Sequence, residues 1–287
     1  MSISGVSVAA EPAKLVHKGN ANILIRFNDF TRLERCCVRF QSLNRNNIYT
    51  LENYQYLERE VTPLLGDYLV RTRKVARNVQ LLDLLLEEFR VSRDCSEVFV
   101  LEMENLTFGM DSVLSVDHFT KIHKCSSSTA VVWEFKPKWW CETGHICRNC
   151  TLNNVKGRRI PYCYNMILAE PGLLRLWLAE YRLPSQFFTD MELYLRSSGN
   201  VLAKLYEIQA KLTHSVPKLG DLNGEVDVSE TLALLMAMRD VSCFIKWDHE
   251  NPIRAKIVDV DLKPKSKWAQ WMSQQSVLDE SNMKVSH

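Results

Sequence analysis

The longest uninterrupted apolar run in this 287-residue chain is Leu232–Met238. A membrane span needs about 18 apolar residues or more. Burial therefore has to come from amphipathic helices and short strands that fold against one another. Ile23–Phe27 and Cys36–Phe40 are strand-like runs and read as a hairpin, preceded by the loop Lys18-Gly19-Asn20-Ala21-Asn22. Tyr56, Leu57, Val61, Leu64, Leu65 and Tyr68 recur at helical spacing, with a break marked by Pro63 and Gly66. Val79, Leu82, Leu85, Leu86 and Phe89 form a second helical stripe, and Val98–Leu101 reads as a buried strand followed by a polar turn. After a further strand at Ala130–Phe135 the pattern turns mainly helical: Leu173–Tyr181, Val201–Leu212, and Val228–Met238 with Asp227 as its N-cap. Val241–Trp247 and Ala255–Leu262 read as closing strands. Residues 1–17 are expected to be weakly ordered up to Leu15, and the polar tail from Ser273 is expected to fray.

These elements predict an α+β chain in two parts, residues 1–105 and 106–287, in line with roughly 150 residues per domain. With 46% apolar and 24% charged residues, a disordered or collagen-like chain is excluded. The stretch Ile3–Ala10 lacks a basic flank and is broken by Glu11, so a secretory signal is not expected. Nine cysteines, an odd number with Cys36 and Cys37 adjacent, argue for free thiols in a reducing compartment, the nucleus or the cytoplasm.

The net charge is only +2, so there is no global polycation for nucleic acid, and no aromatic platform is interleaved with the basic residues. The positive charge is local instead. Lys136, Lys138, Arg148, Lys156, Arg158 and Arg159 face one acid, Glu142, and a second basic cluster runs from Arg254 to Lys267. Both suit an anionic ligand, and both also suit solvated loops.

Several short stretches could carry chemistry. On a strand through Asp259-Val-Asp261-Leu-Lys263, the two carboxylates and the lysine would share one face. Such a face suits Mg²⁺ and phosphate, and equally a polar sheet edge. In Lys136-Pro137-Lys138 the proline holds the chain extended at the end of a strand, so both lysines could enter a cleft as point charges. Asp240 lies where a helix gives way to a strand, a place for a general base or for an ordinary turn residue. The Gly19–Asn22 loop could cover phosphates, although it is no Walker A sequence. Cys147-Arg-Asn-Cys150 has zinc-site spacing, with His145 and Cys163 as further ligands and Cys141 close by; free thiols are the alternative.

In order along the chain, these stretches resemble the inositol-pentakisphosphate 2-kinases, in the compact form of fungal members. The resemblance rests on Gly19–Asn22, Cys37-Val-Arg39-Phe, Glu60-Val-Thr-Pro63-Leu-Leu-Gly66, Glu134-Phe-Lys136-Pro137-Lys138, Cys147-Arg148-Asn-Cys150 with Lys156, Arg239-Asp240-Val-Ser242, and Asp259-Val-Asp261-Leu-Lys263-Pro264. It implies a two-lobed fold distantly related to the protein kinases, with residues 1–105 as N-lobe, 106–287 as C-lobe and ATP between them. The implied reaction transfers the γ-phosphoryl group of ATP to the 2-hydroxyl of inositol 1,3,4,5,6-pentakisphosphate, giving inositol hexakisphosphate (phytate).

The resemblance also implies roles. Gly19, Asn20, Ala21 and Asn22 would cover the ATP phosphates, Arg39 would contact phosphate, and Met103, Glu104 and Asn105 would lie beside adenine. Lys136, Lys138, Arg148, Lys156, Lys263 and Lys267 would hold the substrate phosphates. Asp240 would be catalytic, with Asp259 and Asp261 binding Mg²⁺. The expected partners are ATP and inositol pentakisphosphate, with no nucleic acid and no membrane, and the chain is expected to act as a monomer. The alternative is a catalytically inactive, kinase-like module that binds inositol phosphates or scaffolds a partner. This sequence departs from the family pattern at Arg239, where a lysine is usual, at Leu152, where many members carry histidine, and at Thr189–Glu192, where many carry Asn-Asn-x-Arg.

Overall fold

The computed structural model describes residues 12–287. Residues 1–11, with the Ile3–Ala10 stretch and most of the N-terminus expected to be weakly ordered, lie outside the described residues. In chain order come β1 (Lys14–Lys18), β2 (Asn22–Arg26), β3 (Arg32–Cys37), α1 (Leu43–Tyr56), α2 (Thr62–Leu65), β4 (Thr72–Asn78), α3 (Asp83–Glu88) and β5 (Glu97–Glu104). There follow β6 (Ser112–Ser115), β7 (Thr120–Lys124), β8 (Val131–Phe135), α4 (Arg148–Val155), α5 (Tyr164–Ala169) and α6 (Leu173–Trp177). The chain closes with α7 (Ser185–Arg196), α8 (Val201–Thr213), α9 (Glu230–Met238), β9 (Ser242–Trp247), β10 (Arg254–Val258) and α10 (Trp268–Asp279). The fold is thus mixed α+β, with two antiparallel five-stranded sheets ordered β1-β2-β3-β5-β4 and β10-β9-β8-β7-β6. No helix among the described residues is long and apolar enough to cross a membrane.

The residues gather into two compact units. One comprises the described residues up to Arg59 with Val70–Phe108; the other comprises Glu60–Leu69 and Gly109–His287. In the first, Ile23, Ile25, Cys36, Leu82, Leu86, Val98 and Val100 form the core. Its helix α1 has a polar sequence, which hid it from a search for apolar periodicity. Ser42 caps it by accepting from the Arg45 amide. Its buried face is built of asparagines that bond to backbone. Asn46 donates to the Phe40 carbonyl at 2.8 Å and accepts from the Phe40 amide at 2.9 Å. Asn47 does the same for Glu97 and Phe99, both at 2.8 Å. Satisfied amides can be buried at little cost, so they replace leucines here.

In the second unit Trp133 and Phe135 of β8 lie at 0% exposure. Phe135 stacks on Tyr164 of α5, with ring centroids 4.5 Å apart. From Leu232 to Met238 helix α9 is apolar on every side, which only a buried segment tolerates, and all of these residues are buried. Its N-cap is Ser229, which accepts from the Leu232 amide; the expected cap, Asp227, instead accepts from the Asn223 and Gly224 amides. The tail is not frayed either. Trp271 and Leu278 bury one side of α10, and Cys147 donates to the Val285 carbonyl at 2.7 Å.

The largest correction concerns the last strand. β10 ends at Val258, because Asp259 adopts the left-handed region with φ 64°. Asp259 and Asp261 therefore do not share a strand face.

Candidate functional site

In the first unit, residues 19–22 form the tip of the β1–β2 hairpin. The Gly19 amide donates to the Asn22 carbonyl at 2.9 Å, and a Cβ at position 19 would come within 2.9 Å of that same oxygen. A side chain there would force the turn open. Arg39 lies two residues beyond β3 rather than on it, exposed, with its guanidinium 5.4 Å from the ring centroids of both Phe40 and Tyr49. Met103 and Glu104 end β5. Asn105 follows, its amide bonded to the Thr31 carbonyl at 2.8 Å and its side chain to the Phe30 carbonyl at 3.0 Å.

The second unit concentrates the charged residues. β8 and α9 end side by side, and a buried glutamine of α8 fixes both ends. Gln209, 0% exposed, donates to the Lys138 and Met238 carbonyls at 2.9 and 3.0 Å and accepts from the Trp140 amide at 2.8 Å. Lys138 and Asp240 are thereby brought together. The Asp240 carboxylate accepts from Lys138 Nζ at 2.8 Å and from Lys263 Nζ at 2.7 Å. Lys136 reaches Asp259 Oδ2 at 3.3 Å and the Asp240 carbonyl at 3.5 Å, and Ser242 Oγ donates to Asp259 Oδ2 at 2.6 Å. Four described non-glycine residues have positive φ, and two of them, Lys138 at 62° and Asp259 at 64°, belong to this group. Backbone strain of this kind, roughly 1–3 kcal/mol each, persists where surroundings impose it and concentrates at functional sites.

Burial alone would push the Asp240 carboxyl up; Lys263 and Lys138 overcome it and hold Asp240 well below the usual carboxylate range. Burial pulls the Lys138 ammonium down, and Asp240 opposes that shift. Beside this group opens a cleft of about 270 Å³. Lys138, Arg148, Lys156, Arg158, Arg239, Lys263 and Lys267 line it, with Asp240 as the sole carboxylate among its lining residues. Ring faces also meet four of these cations. Lys138 and Arg158 lie 5.4 and 5.1 Å from the Phe119 centroid. Arg148 and Arg239 lie 4.0 and 3.7 Å from that of Trp139.

Five of the six expected phosphate ligands thus line one cleft, and the sixth, Lys136, adjoins it through Asp240. Asp261 does not line it. Sequence reasoning missed His118, Phe119, Trp139, Arg158 and Arg239 as lining residues, although Arg158 stood in the first basic cluster and Trp139 directly follows Lys138. The Thr189–Glu192 stretch lies on α7, away from the cleft. There Asp190 accepts from Trp247 Nε1 at 2.8 Å, and Glu192 sits 3.8 Å from Arg175.

A second cluster adjoins Arg148. The donor atoms of Cys147, Cys150, Cys163 and His287 all lie within 4.8 Å of one another. Cys147 and Cys163 Sγ are 3.9 Å apart, and His287 Nε2 is 3.2 Å from Cys163 Sγ. The expected fourth member, His145, is instead exposed beside Glu142, at 3.5 Å. The backbone explains the exchange. Ile146 pairs with Ser286, and Gly144 donates to the His287 carbonyl, so the bridge carries the His287 ring to the thiols.

Residues 16–175 match the family profile described as inositol-pentakisphosphate 2-kinase. Three fungal proteins named inositol-pentakisphosphate 2-kinase are similar over nearly their full length. The one from Saccharomyces cerevisiae is 38% identical over 277 residues, covering 96% of this chain and 98% of its own. That from Eremothecium gossypii is 37% identical, with 96% and 99% covered, and that from Candida glabrata 36%, with 95% and 100% covered.

The ion pairs of Asp240 generate a prediction about pH and stability. A carboxylate whose folded pKa is depressed contributes stability that is present above its unfolded pKa, near 4, and is lost as pH falls through the folded value. Asp240→Asn is therefore expected to melt below wild type at pH 7, where Lys138 and Lys263 would lose their ionised acceptor. The gap is expected to narrow below about pH 4. A melting difference that stays constant from pH 7 to pH 3 would contradict this.

Proposed function

The chain belongs to the inositol-pentakisphosphate 2-kinase family, and from that premise we infer its reaction: ATP gives its γ-phosphoryl group to the 2-hydroxyl of inositol pentakisphosphate, forming inositol hexakisphosphate and ADP. The observation that carries this reading to particular residues is the cleft where seven cationic side chains surround a single carboxylate. Each phosphate of the acceptor brings about −1.5 to −2 charge. Such a ligand needs fixed cations in excess of resident carboxylates, and this cleft supplies seven around one.

Asp240 would accept the hydrogen bond of the attacking hydroxyl, orient it and take its proton. Ionised and held by two lysines, it is a weak base. That suits phosphoryl transfer, whose loose transition state asks for positioning and charge neutralisation more than for proton abstraction. Lys138 and Lys263 fix the carboxylate and lie where they can also meet phosphate. Lys136 joins Asp240 to Asp259. The half-exposed Asp259 carboxylate, steadied by Ser242, fits Mg²⁺, which takes carboxylate and phosphate oxygens together. Asp259 would hold the ion, which would neutralise charge on the transferring phosphoryl group. In the first unit Gly19–Asn22 would cover the ATP phosphates through a turn too tight for side chains at its first position. A distant kinship with the protein kinases is part of the same proposal.

Cys147, Cys150, Cys163 and His287 fit a structural zinc ion: soft thiolates and one imidazole, four donors, no open position. Zinc there would tie the segment around Ser286 to α4 and hold Arg148, which lies between two ligands, toward the cleft.

Two experiments test these assignments. Incubation with labelled ATP, Mg²⁺ and a panel of inositol phosphates should place label at the 2-position of the pentakisphosphate, and Asp240→Asn should slow transfer by about a hundred-fold or more. Tight binding without transfer would instead favour an inactive binding module. Elemental analysis of purified protein should find one zinc per chain, reduced in His287→Ala and retained in His145→Ala. Absence of zinc, or its loss in His145→Ala, would contradict the metal assignment.

A further inference from the structure

Helix α9 delivers a buried arginine to the cleft without any carboxylate to meet it. Arg239 is 9% exposed. Its Nη2 donates to Thr213 Oγ1 at 3.0 Å, and its Nη1 finds only the sulfur of Met236, a weak acceptor, at 3.8 Å. Its Nε has no hydrogen-bond partner. The guanidinium stacks on Trp139, and Arg148, whose Nε is likewise without a partner, stacks on the same ring. Arg148 is bonded to Gln275, a neutral residue. Two like charges therefore share one indole.

A ring face and the carbonyl end of a helix offset part of the cost of a buried cation. They do not satisfy an open N–H donor, and a charge left without its partner is expensive. Burial, and then the charge of Arg148, pull the Arg239 pKa down to about 9, which still leaves it charged at neutral pH. What is missing is an anion, and both guanidiniums line the cleft where the inositol phosphate is placed.

Resting on that reading of the cleft, we propose that Arg239 is a phosphate-binding residue of the acceptor site, working with Arg148 across Trp139 to grip one phosphate of the inositol ring. The arginine is specific in this role. A planar fork can stack on indole while offering Nε and Nη to two phosphate oxygens, whereas a lysine ammonium is a point charge that can do neither. The arginine that stands in place of the family's usual lysine therefore changes how phosphate is held, not merely whether charge is present.

The test uses the full chain as wild type, Arg239→Lys and Arg239→Met. It combines calorimetric titration with inositol pentakisphosphate, steady-state kinetics, and thermal unfolding without ligand. Both variants should bind the pentakisphosphate about 10- to 100-fold more weakly. The KM for inositol phosphate should rise in step while the KM for ATP holds. Ligand-free Arg239→Met should melt no lower than wild type, because it loses a buried charge that had no partner. If Arg239→Met fails to fold, Arg239→Lys decides alone: weaker binding with a wild-type melting point supports the assignment. Unchanged affinity in the folded variants, or an equal loss for ATP and inositol phosphate, overturns it while leaving the acceptor site in place. Failure of wild type itself to bind the pentakisphosphate would remove the acceptor site, and this inference with it.

Discussion

An excess of positive charge over carboxylates is the condition on which the second unit's cleft is organised, with seven cationic side chains around Asp240 alone. A site for a dense polyanion cannot neutralise its cations in advance, since every internal carboxylate would have to be displaced or would repel the ligand. Yet buried cations left alone are costly. The protein resolves the conflict with aromatic faces. Phe119 carries Lys138 and Arg158, and Trp139 carries Arg148 and Arg239. Each cation–π contact is worth only about 0.5–2 kcal/mol, enough to position a side chain and too little to compete with phosphate. The single carboxylate of the cleft, Asp240, is the one the chemistry requires.

The fold supplies rigidity where that arrangement needs it. Helix α9 is apolar and buried from Leu232 to Met238 and ends at the Arg239-Asp240 pair. Gln209 ties the carbonyl of Met238 to the end of β8, so Asp240 and Lys138 meet at a fixed distance. The left-handed backbone at Lys138 and Asp259 turns both chains toward the same point. Trp271 of α10 closes the apolar layer beneath the cleft together with Trp139 and Trp268.

How much of this could be read in the sequence depended on how each residue earns its place. Buried strands such as β8 and the stripe of α9 show in apolar pattern, and the phosphate-binding lysines show in charge clustering. Helix α1 does not, because its inner face is asparagine bonded to backbone. Strand β4 does not, because its sequence Thr-Arg-Lys-Val-Ala-Arg-Asn carries charges on an edge. Asp259 and Asp261 misled for a reason of backbone geometry: alternation is informative only while the strand lasts, and it ends one residue earlier. His287 lies 124 residues from Cys163 in sequence, so only the backbone bridge through Ser286 could reveal it. Arg239 was visible as a departure from the family pattern, but its isolation from any carboxylate is a property of the fold.

The most direct test of this account is a crystal structure of the protein with inositol hexakisphosphate, the reaction product. The account predicts the inositol ring within the second unit's cleft, its 2-phosphate nearest Asp240, and the other phosphates bonded to the cleft's cations, Arg148 and Arg239 sharing one of them. A ligand bound outside that cleft, or seated in it with a different ring position at Asp240, would contradict the account.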